Sequence, residues 1–235
     1  MIRRTLLLFA ALSALLGSAF AADLVYLNTP QGEQRLISAK LRQPFFAMQP
    51  YVETQQNLAF CGPASIVAVM NSFGTPRPFE SRLFPYNFYT QDNIFNADTQ
   101  RVKSFGLVSA RGMTLAEISA FFSALGVKTT PYYADSLSIE QLRTLLKTTL
   151  ANPNDRIVVN FNRKILAQEG GGHQSPLAAY DEASDSALML DVAKFKYPPS
   201  WVPLNELLDA MRSVDSDSGK SRGLVVIERP ATTSP

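Results

Sequence analysis

The sequence predicts an α+β fold, with an N-terminal helical lobe set against a C-terminal antiparallel β-sheet lobe. Three features carry this. An apolar stretch at 61–70 reads as a buried helix, two capped amphipathic helices lie between 114 and 150, and short apolar strands joined by tight turns run from 156 to 227. With 235 residues, 46% hydrophobic and 18% charged, the chain can bury a core as one domain or two small ones. That balance excludes a disordered chain.

Taken in order, residues 1–21 read as a secretory signal peptide: Arg3 and Arg4, an apolar run from Leu6 to Leu16, then Ala19-Phe20-Ala21 as a small-x-small cleavage site. The alternative is an uncleaved N-terminal anchor, although the apolar run is short for a membrane span. Export, with a bacterial periplasm as the destination, is therefore expected. The leader holds two of the 22 basic residues and none of the 20 acids, so the remainder is balanced. Nothing in that balance argues for nucleic acid or a membrane surface as a partner.

Residues 22–41 show no clear period and read as an extended N-terminal arm. Residues 42–228 are expected to form the main domain, and 229–235 a disordered tail. A loop at Thr54–Phe60 leads into the buried helix, which opens at Cys61 with Pro63 in its first turn. Asn71–Tyr89, rich in Pro, Phe and Tyr, reads as an ordered irregular segment that packs its rings on that helix. A helix is expected over Asp92–Phe105, stopped by Gly106. Thr114 and Glu117 form a capping box for a helix to Leu125, and Ser138 with Gln141 repeats the pattern for a helix to Leu150. After a turn at 152–155, strands are expected over 156–161, 176–180 and 187–192. A Pro-rich bend around Trp201, a short helix over 204–211 and a last strand over 223–227 complete the chain.

Cys61 is the only cysteine and His173 the only histidine. A lone thiol cannot form an internal disulfide, and in an oxidising compartment it is a hazard unless it does chemistry. The plain alternative is a small buried hydrophobe. At a helix N-terminus the exposed N–H groups and the dipole favour the thiolate. His173 follows three glycines and opens a strand, and taken alone it reads as a satisfied structural histidine. Together, the two make a thiolate–imidazolium couple that needs a third group to orient the ring. Asp191, in the otherwise apolar stretch 187–192, is the candidate. An unpaired buried carboxylate is costly, and a hairpin of the strands around it would bring His173 and Asp191 to one open end. Otherwise Asp191 ends the strand or faces solvent. Gln55, six residues before Cys61, is placed to donate its amide to whatever the sulfur attacks. Trp201 would shield the pair from water or fill the core. One Cys and one His do not close a zinc site, and no phosphate-loop pattern is present, so no intrinsic metal or nucleotide is expected.

The order Gln, Cys, His, Asp resembles that of the papain-like cysteine peptidases, whose last member is commonly Asn. More specifically, AFCGPASIVAVMNS, GGGHQSPLAAYDEASDSALMLDVAKFKYPPSWVP and SVDSDSGKSRGLVVIE resemble the catalytic domain of phytochelatin synthases, over roughly Arg42 to Glu228. The resemblance implies a papain-like fold, the central helix behind the nucleophile, and glutathione as substrate. Carried over, Cys61 attacks the Cys–Gly bond, glycine leaves and γ-glutamylcysteine is held as a thioester. His173 is base and then acid, Asp191 orients it, and the Gln55 amide with the Cys61 N–H forms an oxyanion hole. Asp215 and Arg222 would bind the γ-glutamyl end, with Asn160 and Gly172 as further substrate contacts. Cadmium or zinc would enter as a glutathione thiolate complex, and a homodimer is the one protein assembly allowed for. Plant members carry a cysteine-rich C-terminal region, whereas this sequence has no second cysteine. Hydrolysis is therefore expected to compete with transfer to a second glutathione. Two other readings stand beside this one. They are a papain-like peptidase acting on other peptides, and a non-catalytic thiol protein that binds glutathione-type ligands or heavy metals.

Overall fold

A computed structural model describes residues 24–229. The expected leader at 1–21 and the tail beyond Arg229 lie outside the described residues. The strands are β1 (Val25–Tyr26), β2 (Lys128–Tyr133), β3 (Asp155–Asn162), β4 (Gly172–Asp181), β5 (Ser186–Met189), β6 (Ser200–Pro203) and β7 (Gly223–Glu228). They form one seven-stranded sheet in the order β1-β6-β5-β4-β3-β7-β2, and every neighbouring pair is antiparallel. The helices are α1 (Pro30–Ser38), α2 (Gln43–Met48), α3 (Cys61–Ser72), α4 (Ala97–Val102), α5 (Phe105–Arg111), α6 (Leu115–Ala124), α7 (Ile139–Ala151) and α8 (Leu204–Arg212). The protein is thus mixed helix and antiparallel sheet. Among the described residues no helix is long and apolar enough to cross a membrane.

Helices cover both faces of the sheet, and the strand alternation shows it. Val158, Ala178, Leu188, Trp201 and Val225 face a core shared with α3 and α6, while Ile157, Val159, Leu177, Met189 and Leu224 face a second core shared with α7 and α8. Both expected capping boxes are present, at Thr114/Glu117 and Ser138/Gln141. The strands expected from 156, 176, 187 and 223 and the helix from 204 all form, with ends shifted by up to four residues.

Four expectations need correction. Residues 22–41 are not an extended arm: β1 pairs with β6, and Thr29 caps α1 by accepting a bond from Gly32 N at 3.1 Å. Gly32 lies where helix and turn approach closely, since a Cβ there would sit 2.1 Å from Tyr26 O. The single helix expected over 92–105 is two, because Asn96 caps α4, Ser104 caps α5, and the stop is Gly112 at φ +68 and not Gly106. In the aromatic segment 71–89, Phe73 and Tyr89 are buried in the core that includes α3, as expected, but Phe79, Phe84 and Tyr86 are 63%, 76% and 74% exposed, so these rings do not pack on it. That segment is held instead by Asn71, whose side chain bonds both the N–H and the carbonyl of Tyr89. Finally, 200–203, expected as part of the Pro-rich bend, is a strand, and so is 128–133, for which no element was expected. Pro131 argues against a central strand, and β2 lies at the sheet edge, where a missing N–H breaks no ladder.

The element that positions the site is α3. Eleven of its 12 residues are buried, and it packs on β4. Its C-terminal end is held by the buried Arg156 of β3. That side chain stacks on Phe73 at 5.1 Å and donates to Ser72 Oγ (2.9 Å) and Ser72 O (3.3 Å). A cation there also meets the negative end of the helix dipole, although burial holds the guanidinium pKa down at about 10. Arg156→Ala should cost about 2 kcal/mol and lower the melting temperature by roughly 4–8 °C. A thermal melt showing no shift would mean that α3 does not depend on this anchor.

Candidate active site

The sequence at 60–65 places Cys61 at the first position of α3, where N–H groups lack intrahelical partners. Its registration against the sheet comes from three neighbours. Ser65 Oγ donates to Cys61 O at 2.7 Å and lies 3.2 Å from Gln174 O on β4. Gln174 Nε2 donates to Met113 O at 2.8 Å. Gly62 has no room for a side chain: a Cβ would lie 2.8 Å from both Gln174 Oε1 and Met113 Sδ. The glycine after the cysteine therefore lets α3 press against β4.

His173, the second residue of β4, is buried, lines the same cleft as Cys61 and lies close enough for each to shift the ionisation of the other. The β4–β5 hairpin carries Asp191 to the same open end, and His173 Nε2 lies 3.0 Å from Asp191 Oδ1 and 3.0 Å from Ser175 Oγ. Asp191 Oδ1 also accepts from Ala193 N at 2.8 Å and from Arg163 Nη2 at 2.8 Å. Arg163, just past β3, is itself buried, stacks on Tyr197 at 5.2 Å and donates from Nη1 to Gln168 Oε1 at 2.7 Å.

These neighbours set the charges. Burial pushes the Cys61 thiol up, but the hydrogen bond and positive charge of His173, with the N–H groups of Gln174 and Gly62, outweigh it, and the pKa falls below the ordinary thiol value. Burial pulls His173 down, and its bonds to Asp191 and Cys61 reverse this and raise it. Burial likewise opposes ionisation of Asp191, whose pKa is nonetheless lowered by His173, Arg163 and Ala193 N. Both shifts favour the thiolate–imidazolium state over the neutral pair.

Cys61 and His173 open into a cleft of about 790 Å³, and Asn160, Gly172, Asp215 and Arg222 line the same cleft. Arg222 Nη1 donates to Asn160 Oδ1 at 2.8 Å and to Asp215 Oδ2 at 3.2 Å. The guanidinium lies against Gly172, where a Cβ would come within 2.5–2.7 Å of it. Asn160 Nδ2 and Arg222 Nε are buried without a protein partner. Gln55 lines a smaller, adjoining hollow of about 210 Å³ that shares Gly172 and His173 with the cleft. Its Nε2 donates to Asn57 O at 2.6 Å, which leaves one amide hydrogen for another acceptor. Trp201 does not shield the pair. It is buried in the core and donates to Gly32 O at 3.0 Å, tying β6 to α1.

Sequence reasoning missed Arg163, Ser175 and the 109–114 rim of the cleft. For Arg163 a signal existed: the burial argument applied to Asp191 calls for a second cation, and Arg163 follows directly on the apolar strand 156–161. The rim carried no local signal, since only the close approach of Met113 to Gly62 brings it there.

A thiolate paired with a buried imidazole and an ionised carboxylate, beside a polar cleft, is the arrangement of cysteine-nucleophile acyl-transfer proteins. Comparison with known families is specific. The model of the phytochelatin synthase family matches residues 17–224, and the chain belongs to that family. It is 32% identical over 186 residues to glutathione gamma-glutamylcysteinyltransferase 2 of Arabidopsis thaliana, covering 79% of this chain and 40% of the relative. Against glutathione gamma-glutamylcysteinyltransferase 1 of Lotus japonicus it is 31% identical over 203 residues, covering 85% and 39%. With the glutathione gamma-glutamylcysteinyltransferase of Schizosaccharomyces pombe it shares 30% over 184 residues, covering 78% and 43%. The chain thus spans about two fifths of the length of these relatives.

Alkylation of Cys61 by iodoacetamide should be fast well below the ordinary thiol pKa of about 8.5. His173→Ala should return it toward that value, because burial then acts on the thiol without its counter-charge. An unchanged pH–rate profile in that variant would disprove the ion pair.

Proposed function

We propose that this protein is a phytochelatin-synthase-type acyl transferase acting on glutathione. The observation that carries this is the juxtaposition in one cleft of the Cys61–His173–Asp191 set and the Arg222–Asp215–Asn160 cluster. The γ-glutamyl end of glutathione carries an α-carboxylate and an α-ammonium, and a guanidinium beside a carboxylate complements both. The identities of the relatives support the same substrate. The papain-like arrangement, with the central helix behind the nucleophile, is supported by α3 opening at Cys61 and by its packing on the strand that carries His173.

In this reading the Cys61 thiolate attacks the carbonyl carbon of the Cys–Gly bond. Charge on the carbonyl oxygen is met by N–H donors at the start of α3 and by the free hydrogen of the Gln55 amide. His173 then delivers its proton to the departing glycine nitrogen and leaves γ-glutamylcysteine as a thioester on Cys61. Next it takes a proton from the incoming nucleophile, water or a second glutathione, while Asp191 holds the ring. Cadmium or zinc enters as part of the substrate, bound to glutathione thiolates. The leader read at 1–21 supports export to a periplasm.

Incubation with glutathione, with and without cadmium or zinc, should release glycine and γ-glutamylcysteine, with longer oligomers wherever transfer competes with water, all followed by mass spectrometry. Cys61→Ala should abolish release. Cleavage of ordinary peptides without glycine release from glutathione would point to a peptidase. Arg222→Ala should raise KM for glutathione roughly 10- to 100-fold, the worth of a charge-assisted contact. Gly172→Ala should act in the same direction by displacing the guanidinium, and wild-type KM in both variants would remove this cluster from the binding site.

A further inference from the structure

We propose that Arg163 is a positioning residue, whose guanidinium grips the Asp191 carboxylate and thereby sets the orientation and charge balance of the Cys61–His173 couple. Arg163 Nη2 lies 2.8 Å from each Asp191 oxygen, with the two side chains 4% and 1% exposed. A carboxylate so far from water needs more than one counter-charge when its first partner, His173, must give up and recover a proton. Cys61, His173, Asp191 and Arg163 alternate in sign and sum to zero in the thiolate–imidazolium state. The guanidinium is itself fixed by Gln168 Oε1 at 2.7 Å and by the rings of Phe161 and Tyr197 at 5.7 and 5.2 Å. Its backbone N–H also donates to Gly171 O at 2.9 Å, so one residue ties the glycine segment before His173 to the acid behind it.

Several groups face His173. Cys61 comes from α3, the neutral Ser175 from β4, Asp191 from the segment after β5 and Arg163 from the turn after β3. Lys196 lies across the small hollow, and Arg222 with Asp215 lies across Gly172. Apart from His173 itself, Arg163 is the only cationic side chain that touches Asp191 among the described residues. A purely structural arginine would affect stability and leave the titration of the couple alone. A positioning one has a directional signature. Losing its positive charge makes the thiolate harder to form and the imidazolium harder to deprotonate, so both limbs of the pH profile move upward.

The inference rests on the Cys61–His173 couple and not on the identity of the substrate, so the primary readout is the pH dependence of Cys61 alkylation, which needs no glutathione. In Arg163→Gln, both limbs should rise by about one pH unit, the effect of a lost charge at close range. In the glycine-release assay kcat should fall about 10²-fold with KM changed less than about threefold, as for a misoriented base. Arg163→Lys keeps the charge and gives up the fork, so it should hold the wild-type limbs while kcat falls about tenfold. A folded Arg163→Gln protein with unmoved limbs overturns the proposal. If that variant does not fold, an undiminished kcat in Arg163→Lys overturns it instead.

Discussion

The structure turns on a chain of ions held away from water, in which a sulfur, an imidazole and a carboxylate are lined up with a guanidinium behind them. In a medium of low polarity no member of such a chain is stable alone. Burial works against the charged form of Cys61, His173 and Asp191, and in each case a specific neighbour reverses it. The fold meets this constraint by bringing four segments to one point. These are the first turn of α3, the start of β4, the residues after β5 and the turn after β3. The anchors around them, Ser65 on Gln174, Gly62 under Met113 and Ala193 on Asp191, keep those segments in register.

The same architecture gives the cleft its second chemical character. Arg222 stands immediately before β7 and Asn160 on β3, and the pairing of Asn160 with Gly223 makes them neighbours across the sheet. Gly172 begins the strand that carries His173, and its missing side chain is what lets the Arg222 guanidinium lie there. The residue that admits the proposed binding arginine therefore adjoins the proposed catalytic base. In the proposed mechanism, substrate capture and proton transfer would be coupled through a single β4 backbone, so a displacement at Gly172 would be felt by both.

Within the fold, what could be read from the sequence was whatever is local. The capping boxes at Thr114 and Ser138 set their helices because both partners lie within one turn. The strands from 156 and 223 were legible because their apolar runs are buried on both faces. The segment 24–41 was not, because α1 and β1 draw their stability from β6, more than 150 positions away, and not from their own periodicity. Pro131 concealed β2 for a related reason: whether a proline is tolerated depends on the strand lying at an edge, which only the sheet order reveals. The exposed rings of Phe79, Phe84 and Tyr86 show the converse error, since composition alone does not say which way an aromatic faces.

Alone, the sequence determined the reactive group and its immediate setting. It supplied one thiol at the mouth of a buried helix, one imidazole after three glycines and one acid in an apolar stretch. These are decided by residue type and short spacing. Tertiary structure decided what those groups are to one another. The bond from His173 to Asp191, the arginine behind that acid, the close seating of Arg222 on Gly172 and the core position of Trp201 all join residues far apart in the chain. The energy of an ion in a protein interior depends on which charges lie within a few ångströms, and chain order alone does not specify that distance.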